Sequence, residues 1–374
     1  MRKITFLLLH LNYGGLEKQV VTLANELSKK YEVEFLVLYD LLHGKSFYEL
    51  NKNIKVRFIL NYGPIRWNEL KNILKSLNIV KFIKYLFLDL KLIFTKYSKI
   101  RTITNSLQTD ILISSRIEFA AQIKRKDIIT ISQEHSYIEN AKYISKVRKA
   151  FNYINYLIVM TEAAKEKYEN WFKGYNSYTS VIEIPNVINA TEKIASLDSC
   201  QIISIGRLED IKRFDTLIEI FSECLKKNNK LTLKIIGDGS KKEELITLCK
   251  NLNISNKVTF SGKLNSDNIE KELLKSAIFV LTSKSESFSL VLVEASSYGV
   301  PPLSFDVDVG PREIITNGLN GILVKNDDFN GMQEKILELM DNEKERKNIG
   351  KNAKLNAEKY YVENIVKKWE ELFH

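Results

Sequence analysis

The sequence has 374 residues, 44% hydrophobic and 27% charged, which is an ordinary globular composition with enough length for about two domains. It excludes a disordered chain, a collagen and a polytopic membrane protein. Cys200, Cys224 and Cys249 are widely spaced and form no CxxC pair, so they support neither a disulfide framework nor a zinc site and favour a reducing, cytoplasmic compartment. The net charge is +10, and residues 51–150 carry 20 basic against 7 acidic side chains, which would attract nucleic acid, anionic lipid or a phosphorylated substrate.

The chain begins like a signal peptide, with a basic start at residues 1–3 followed by an apolar run. No small-residue cleavage site follows, however, and the apolar run ends in a Gly-Gly turn. It therefore predicts a buried first strand. Short apolar runs then alternate with amphipathic segments of helical length, which is typical of a doubly wound parallel sheet. Strands are expected at residues 4–9, 33–38, 56–60, 111–114, 128–132 and 156–160.

A polar connector at residues 189–199 interrupts this alternation, which then restarts. The second set of strands is expected at residues 201–205, 231–236, 257–260, 277–281, 302–305 and 321–324. The tail 327–374 has a helical pattern throughout, and its last segment is apolar on one face. We expect one Rossmann-like α/β domain at 1–188, another at 189–355, and a terminal helix at 356–374 that packs back on the first.

Residues 78–96 form a segment with lysines on one side of the predicted helix and a broad apolar, aromatic face on the other. Lysine recurs every few residues, so the segment cannot span a bilayer. Two interpretations stay open: an amphipathic helix in the membrane interface, or a helix that packs on the first sheet.

Two glycines, Gly14 and Gly15, stand between the first strand and an amphipathic helix. Without side chains there, backbone amides and a helix N-terminus can approach a substrate closely. The loop lacks the GxGxxG pattern, so NAD binding is unsupported. A simple tight turn is the alternative.

Cationic side chains follow the first strand of the second half, in the segment Gly206-Arg207-Leu208-Glu209-Asp210-Ile211-Lys212. Ligands bind beyond the carboxyl ends of parallel strands. The guanidinium of Arg207 and the ammonium of Lys212 suit the oxygens of a diphosphate. A solvated charged turn would carry the same residues.

Two glutamates, Glu286 and Glu294, follow the strand 277–281, the first in a loop and the second inside an apolar helix. A buried carboxylate is costly unless it accepts hydrogen bonds, and ribose hydroxyls are suitable donors. The amides of Ser289 and Leu290 start this helix and can face a phosphate.

Together these segments resemble the GT-B-fold, retaining nucleotide-sugar glycosyltransferases of family 4, the glycosyl transferases group 1 of bacterial surface-polysaccharide synthesis. The resemblance runs through nearly the whole chain. It is carried by the Gly14-Gly15 loop, Ile184-Pro185-Asn186-Val187, Gly206-Arg207-Leu208 with Lys212, the segment 235–239, the segment 258–262, Glu286 with Glu294, the segment 310–315 and the segment 317–324. It implies two Rossmann-like domains that face a cleft, with the C-terminal helix crossing back to the first.

The resemblance implies a role for each charged residue of the second domain. Arg207 and Lys212 would hold and stabilise the donor diphosphate, Glu294 would bind the ribose and Glu286 the donor sugar near its reacting carbon. Four more residues would line the donor: Gly206, Phe288, Ser289 and Leu290.

In the first domain the resemblance implies that Gly14 and Gly15 abut the donor phosphates. His135, in Ser132-Gln133-Glu134-His135, would face the donor sugar and take part in catalysis. A solvated or capping histidine is the alternative that the residues alone leave open.

Two departures from the family pattern limit the transfer of roles: Ser287, and the pair Pro301-Pro302, which replaces a common Pro-Val or Pro-Ile. The family usually has glycine after the first glutamate, whereas this chain has Ser287, where a positive φ would be strained. The segment Asp306-Val307-Asp308 is similar to a metal-binding Asp-x-Asp motif. It stands before Gly-Pro, however, where a solvated loop is expected. We therefore expect no metal or other cofactor. Cations and helix N-termini would take the place of the ion.

The predicted function is therefore metal-independent transfer of a sugar, with retention, from a nucleotide sugar, most simply a UDP-sugar, to a glycan acceptor. The basic first half suits a lipid-linked acceptor at the cytoplasmic face of an anionic membrane. Three alternatives remain: a nucleotide-sugar epimerase or hydrolase of the same fold, a non-catalytic partner subunit, and a nucleic-acid-binding protein, for which no binding module is present.

Overall fold

The computed structural model describes residues 1–61, 63–64, 79–135, 145, 147–148, 151–307 and 309–374. The chain divides into two compact units. Unit 1 contains Met1–Ile184 together with Val366–His374, and unit 2 contains Pro185–Ile365. The start of the predicted amphipathic segment, residue 78, and the second aspartate of the Asp-x-Asp pair lie outside the described residues.

Unit 1 has, among its described residues, a parallel sheet of seven strands in the order β3-β2-β1-β4-β5-β6-β7. The strands are β1 Lys3–Leu8, β2 Glu32–Tyr39, β3 Lys55–Leu60, β4 Ile111–Ser114, β5 Ile129–Glu134, β6 Tyr156–Val159 and β7 Ser180–Glu183. The central strands are covered on both faces, since neighbouring residues such as Phe6 and Leu7 are both fully buried. Continuous apolar runs are what such strands require, and the first of them is a strand, as the sequence predicts.

Within the described ranges of unit 1, four helices connect these strands: α1 Gly15–Leu27, α2 Ile79–Ser106, α3 Ile117–Ala120 and α4 Glu162–Phe172. Helix α2 packs on the core through one face, because Leu92 and Ile100 belong to the same buried cluster as Leu112 and Leu157. The packed interpretation of this segment therefore holds for the face with Leu92. Among the described helices, none is long and apolar enough to cross a membrane.

Unit 2 has a second parallel sheet, of six strands in the order β10-β9-β8-β11-β12-β13. The strands are β8 Gln201–Ile205, β9 Thr232–Ile236, β10 Val258–Phe260, β11 Ile278–Leu281, β12 Pro302–Asp306 and β13 Ile322–Lys325. The helices are α5 Phe214–Lys227, α6 Lys242–Asn251, α7 Ser266–Leu274, α8 Leu290–Ser297, α9 Gly310–Ile314, α10 Phe329–Asp341 and α11 Glu343–Ala357. A 3₁₀ turn at Asp210–Lys212 precedes α5.

The tail is not the continuous helix that the sequence predicts. Helix α10 ends at Asp341, and the side chain of Asn342 accepts a hydrogen bond from the Glu345 amide, so it caps α11. Asparagine favours this capping position because its side chain satisfies an amide that the helix leaves open. A 3₁₀ turn at Glu358–Tyr360 then separates α11 from the last helix, α12 Val362–Glu370.

The last nine residues of the chain belong to unit 1. There the Lys30 ammonium lies 2.9 Å from the Glu370 carboxylate, and the ring centroids of Tyr31 and Phe373 are 5.5 Å apart. Trp369 is almost fully buried. The apolar face of this terminal segment thus packs within unit 1.

Candidate functional site

The candidate donor site lies in unit 2, where strands β8 and β11 are neighbours and end at the same edge of the sheet. The loops that follow them are joined by hydrogen bonds. The Thr282 hydroxyl donates to the carbonyl oxygen of Arg213 over 2.9 Å, and the Lys284 amide donates to that of Ile211 over 2.8 Å. Residues 206–213 and 282–289 therefore form one structural cluster.

The centre of this cluster is an ion pair between Lys212 and Glu286. The Lys212 Nζ lies 2.5 Å from Glu286 Oε1, and the Ser283 hydroxyl donates to the same oxygen over 2.6 Å. The side chains are only 18% and 8% exposed, respectively. An ion pair this shielded from water is stronger than a surface pair and fixes both side chains.

Arg207 stands at the start of the same loop and is exposed. Among the described residues it forms no ion pair. Its neighbour Glu209 is tied to the next loop, because the amide and the hydroxyl of Ser240 both donate to the Glu209 carboxylate, at 3.0 and 2.7 Å. The Ser240 amide and hydroxyl, helped by the nearby charge of Arg207, lower the pKa of Glu209. The loop thus presents an available guanidinium on an anchored backbone.

Helix α8 begins directly after Ser289, whose φ of 71° lies in the left-handed region. The Ser289 hydroxyl oxygen is buried and makes no hydrogen bond in the part of the chain that the structure describes. Ser287, where a positive φ would be strained, is not among the residues with positive φ. The unusual backbone conformation thus stands two residues later, at the helix start itself.

The other predicted donor residues surround this helix start. Gly206 is half-buried, and its amide donates to the Ile236 carbonyl over 2.9 Å. Phe288 is buried, with its ring edge-on to that of Tyr360. Glu294 is also buried, in the second turn of α8. The structure therefore brings Gly206, Lys212, Glu286 and the start of α8 to one edge of one sheet.

Gly310 holds the Glu286 loop in place from the other side. Its amide donates to the Glu286 carbonyl oxygen over 3.0 Å. A Cβ at residue 310 would lie 2.7 Å from that oxygen and 2.9 Å from the Phe288 nitrogen, so a larger residue would displace the loop. In the sequence, Gly310 is notable only as part of the family resemblance. The close approach of the Glu286 loop explains why this position has no side chain.

The two candidate glycines of unit 1 lie at the start of α1. A Cβ at Gly14 would lie 2.0 Å from the Glu17 carboxylate oxygen, whereas nothing lies within 4 Å of one at Gly15. Glu17 is buried in the first turn of the helix, with His10 Nδ1 3.3 Å from its carboxylate. A larger residue than Gly14 would therefore displace the Glu17 carboxylate. Sequence reasoning missed both Glu17 and His10.

His135 directly follows strand β5 and is half-buried. The residue before it, Glu134, accepts a hydrogen bond from the Tyr168 hydroxyl over 3.1 Å. Both polar atoms of the Gln133 amide are buried and make no hydrogen bond within the described ranges. Gln133 is a further polar residue at the carboxyl edge of this sheet that sequence reasoning did not select.

A metal site finds no support in the part of the chain that the structure describes, which contains no group of three or more His, Cys, Asp or Glu side chains fit to hold an ion. Asp306 instead pairs with Arg312, with Nε 2.5 Å from Oδ1. Asp308 lies outside the described residues.

Comparison with known proteins matches the second half of the chain to one family. Residues 189–356 match the protein family described as "Glycosyl transferases group 1". They include Arg207, Lys212, Glu286 and Glu294, and the predicted resemblance is confirmed.

Relatives extend over the whole chain. A Haemophilus influenzae protein named "uncharacterized glycosyltransferase" is 27% identical and covers 99% of both chains. A Campylobacter jejuni α-1,4-N-acetyl-D-galactosaminyltransferase, whose name specifies a PP-undecaprenol-linked acceptor, is 28% identical over 99% of this chain and 97% of its own. A Staphylococcus aureus poly(ribitol-phosphate) α-N-acetylglucosaminyltransferase is 33% identical over 60% of this chain and 44% of its own.

Solved structures confirm the fold. The crystal structure of TarM has a TM-score of 0.78 at 18% identity, covering 100% of this chain and 99% of TarM. The lipopolysaccharide outer core galactosyltransferase WaaB has a TM-score of 0.68 at 20% identity, covering 99% and 98%. The predicted fold class, two Rossmann-like α/β domains of the GT-B type, is therefore confirmed. The family match and the relatives confirm the prediction of a glycosyltransferase.

Proposed function

We propose that this glycosyltransferase belongs to family 4 and moves a sugar from a UDP-sugar to a lipid-linked glycan, with retention of configuration and without a metal ion. The observation that carries the proposal is the shielded Lys212–Glu286 pair, 2.5 Å apart, next to the exposed Arg207 and the start of α8. Two cations and a helix N-terminus are the groups that stabilise a departing diphosphate.

In this mechanism Arg207 and Lys212 bind the diphosphate oxygens and offset the negative charge that grows as the sugar leaves. Glu286 accepts hydrogen bonds from the donor sugar, and its pairing with Lys212 holds its carboxylate in place for that purpose. Glu294 accepts hydrogen bonds from the ribose. A diphosphate oxygen takes the proton of the acceptor hydroxyl as the new glycosidic bond forms.

The names of the similar proteins support the finer parts of this proposal. A TarM variant was crystallised with UDP, which supports the uridine donor. The Campylobacter jejuni and Staphylococcus aureus relatives are named as α-transferases. Because common UDP-hexoses are themselves α-linked, an α product means retention. Gly14, Gly15 and His135 of unit 1 are assigned to the same reaction by the resemblance.

The proposal for the acceptor rests on charge and on one relative. The Campylobacter jejuni protein is named for an undecaprenol diphosphate glycan, and residues 51–150 of this chain carry a net charge of +13. A positive surface attracts both the diphosphate of such an acceptor and the anionic membrane that holds it. We therefore assign the enzyme to the cytoplasmic face of the cell membrane, as a peripheral protein.

A thermal-shift screen against UDP-, GDP-, ADP- and CMP-sugars, with and without EDTA, tests the donor. A ligand of the folded state raises the melting temperature. We expect a shift with a UDP-sugar that EDTA does not change and that Arg207→Ala and Glu294→Ala abolish. The matched control Lys227→Ala, on the exposed end of α5, should keep the shift. A shift that only another nucleotide produces, or that EDTA removes, would contradict the proposal.

Transfer of radiolabelled sugar to an undecaprenyl diphosphate glycan tests the acceptor. Arg207→Ala and Glu294→Ala should lose most activity while their melting temperatures stay near that of the wild type. Turnover of the UDP-sugar in the absence of any acceptor, at the rate seen with it, would identify a hydrolase or epimerase instead.

A further inference from the structure

Helix α2 of unit 1 has two apolar faces, and only one of them is covered. Leu92 and Ile100 lie in the core of unit 1. Seven other apolar side chains of the helix are between 45% and 80% exposed. They are Ile79, Val80, Ile83, Leu86, Phe87, Leu90 and Phe94.

The exposed side chains form a single stripe. At 100° per residue, the seven fall within an arc of about 120°. Leu92 and Ile100 lie outside that arc, on the side that packs on the sheet. From Ile79 to Phe94 the stripe is about 22 Å long, given a rise of about 1.5 Å per residue. Single exposed apolar residues are common, but a contiguous stripe of this length indicates a binding surface.

The charge around the stripe selects its partner. The sequence of α2 contains six basic residues and one acidic residue, a net charge of +5. A second copy of the same helix would bring another +5 against it. A bilayer with anionic headgroups instead offers an apolar interior for the phenylalanines and negative charge for Lys84, which lies beside the stripe and can extend to the headgroups.

We propose that the exposed stripe of α2 docks the enzyme on an anionic lipid bilayer, with the helix lying in the plane of the membrane interface. The amphipathic pattern fits this arrangement, in which the apolar face enters the headgroup boundary and the polar flanks stay in water. The inference rests on the proposed function for its purpose, because it would hold unit 1 at the surface where a lipid-linked acceptor is presented.

Co-sedimentation of the full chain with vesicles tests this proposal. One set of vesicles contains equal parts of phosphatidylcholine and phosphatidylglycerol, and the other contains phosphatidylcholine alone. We expect strong binding to the anionic vesicles, weakened by high salt. The double variant Phe87→Glu, Phe94→Glu should bind at least about tenfold more weakly, because two exposed rings no longer enter the lipid. Lys84→Gln should also weaken binding, by about fivefold.

The matched control is Ile194→Glu with Leu355→Glu. These two apolar side chains of unit 2 are 65% and 56% exposed, similar to the two phenylalanines. The control should bind vesicles like the wild type. Equal loss in the control, unchanged binding of the α2 variant, or no vesicle binding by the wild type would each overturn the proposal. So would a wild-type dimer in solution that the α2 substitutions dissociate, since the stripe would then bind a second copy.

The UDP-sugar thermal shift of the same variants separates this proposal from the proposed function. A retained shift with lost vesicle binding supports the docking role of α2 and shows that the donor site is intact. If the wild type shows the donor shift but binds no vesicles, only the docking proposal fails. If it binds vesicles but shows no shift with any UDP-sugar, only the donor assignment fails.

Discussion

Substitution of Glu286 by Gln probes the ion pair at the centre of the candidate site. The change keeps the size of the side chain but removes the negative charge 2.5 Å from Lys212 Nζ. Breaking a fully buried pair costs about 3–5 kcal/mol because it leaves one charge without compensation. Lys212 retains 18% exposure, so water offsets part of that loss, and we expect the free energy of unfolding to fall by about 2 kcal/mol.

The expected loss is large enough to measure by thermal unfolding. Unit 2 spans Pro185–Ile365, and for a domain of this size about 2 kcal/mol lowers the melting temperature by about 4–8 °C. A double-mutant cycle with Lys212→Met isolates the pair from other effects of each change. We expect a coupling free energy of about 2 kcal/mol. If the two single effects add to within about 0.5 kcal/mol in the double variant, the pair does not stabilise the site and the reasoning is refuted.

Three further predictions follow from the described residues. Gly310→Ala should push the Glu286 loop aside by up to about 1 Å and lower kcat about 100-fold, with a loss of stability of about 1–3 kcal/mol; wild-type kcat would contradict this. Burial raises the pKa of the Cys224 thiol to about 12, so iodoacetamide should label Cys200 before Cys224 in the native protein. Mass spectrometry of the labelled peptides measures the order of labelling. Glu209→Gln should lower the free energy of unfolding by about 1 kcal/mol at neutral pH. Because folding lowers the pKa of Glu209, the difference from the wild type should vanish as the pH falls through that pKa. Urea unfolding at neutral and acidic pH measures it, and a difference that does not change with pH would contradict the reasoning.

The sheets could be predicted from the sequence because a parallel strand buried on both faces needs a continuous apolar run. Residues 4–9 form such a run, and strand β1 occupies Lys3–Leu8. The sequence does not reveal the break in the tail at Asn342, because residues 341–348 are all polar and have no apolar spacing that a break could interrupt. Only the cap, in which the Asn342 side chain accepts from the Glu345 amide, separates the two helices.

The sequence predicts the candidate residues of unit 2 but not their pairing. Lys212 and Glu286 are assigned separately, one to the diphosphate and the other to the sugar. Their ion pair depends on the order of the strands, which makes β8 and β11 neighbours and joins the loops that follow them. Ser289 shows the same limit, because its positive φ depends on how the chain enters α8 and no residue type there requires it.

Helix α2 shows what amphipathic periodicity can and cannot decide. The spacing of Phe87, Leu90 and Phe94 indicates that they share one face, and the spacing of Leu92 and Ile100 that they share another. Both faces are apolar, so periodicity alone is compatible with either one facing the sheet. The structure covers the face with Leu92 and leaves the phenylalanine face exposed. The packed interpretation therefore holds for the face with Leu92, and the membrane interpretation stays a prediction for the phenylalanine face, where an exposed apolar stripe indicates a binding surface.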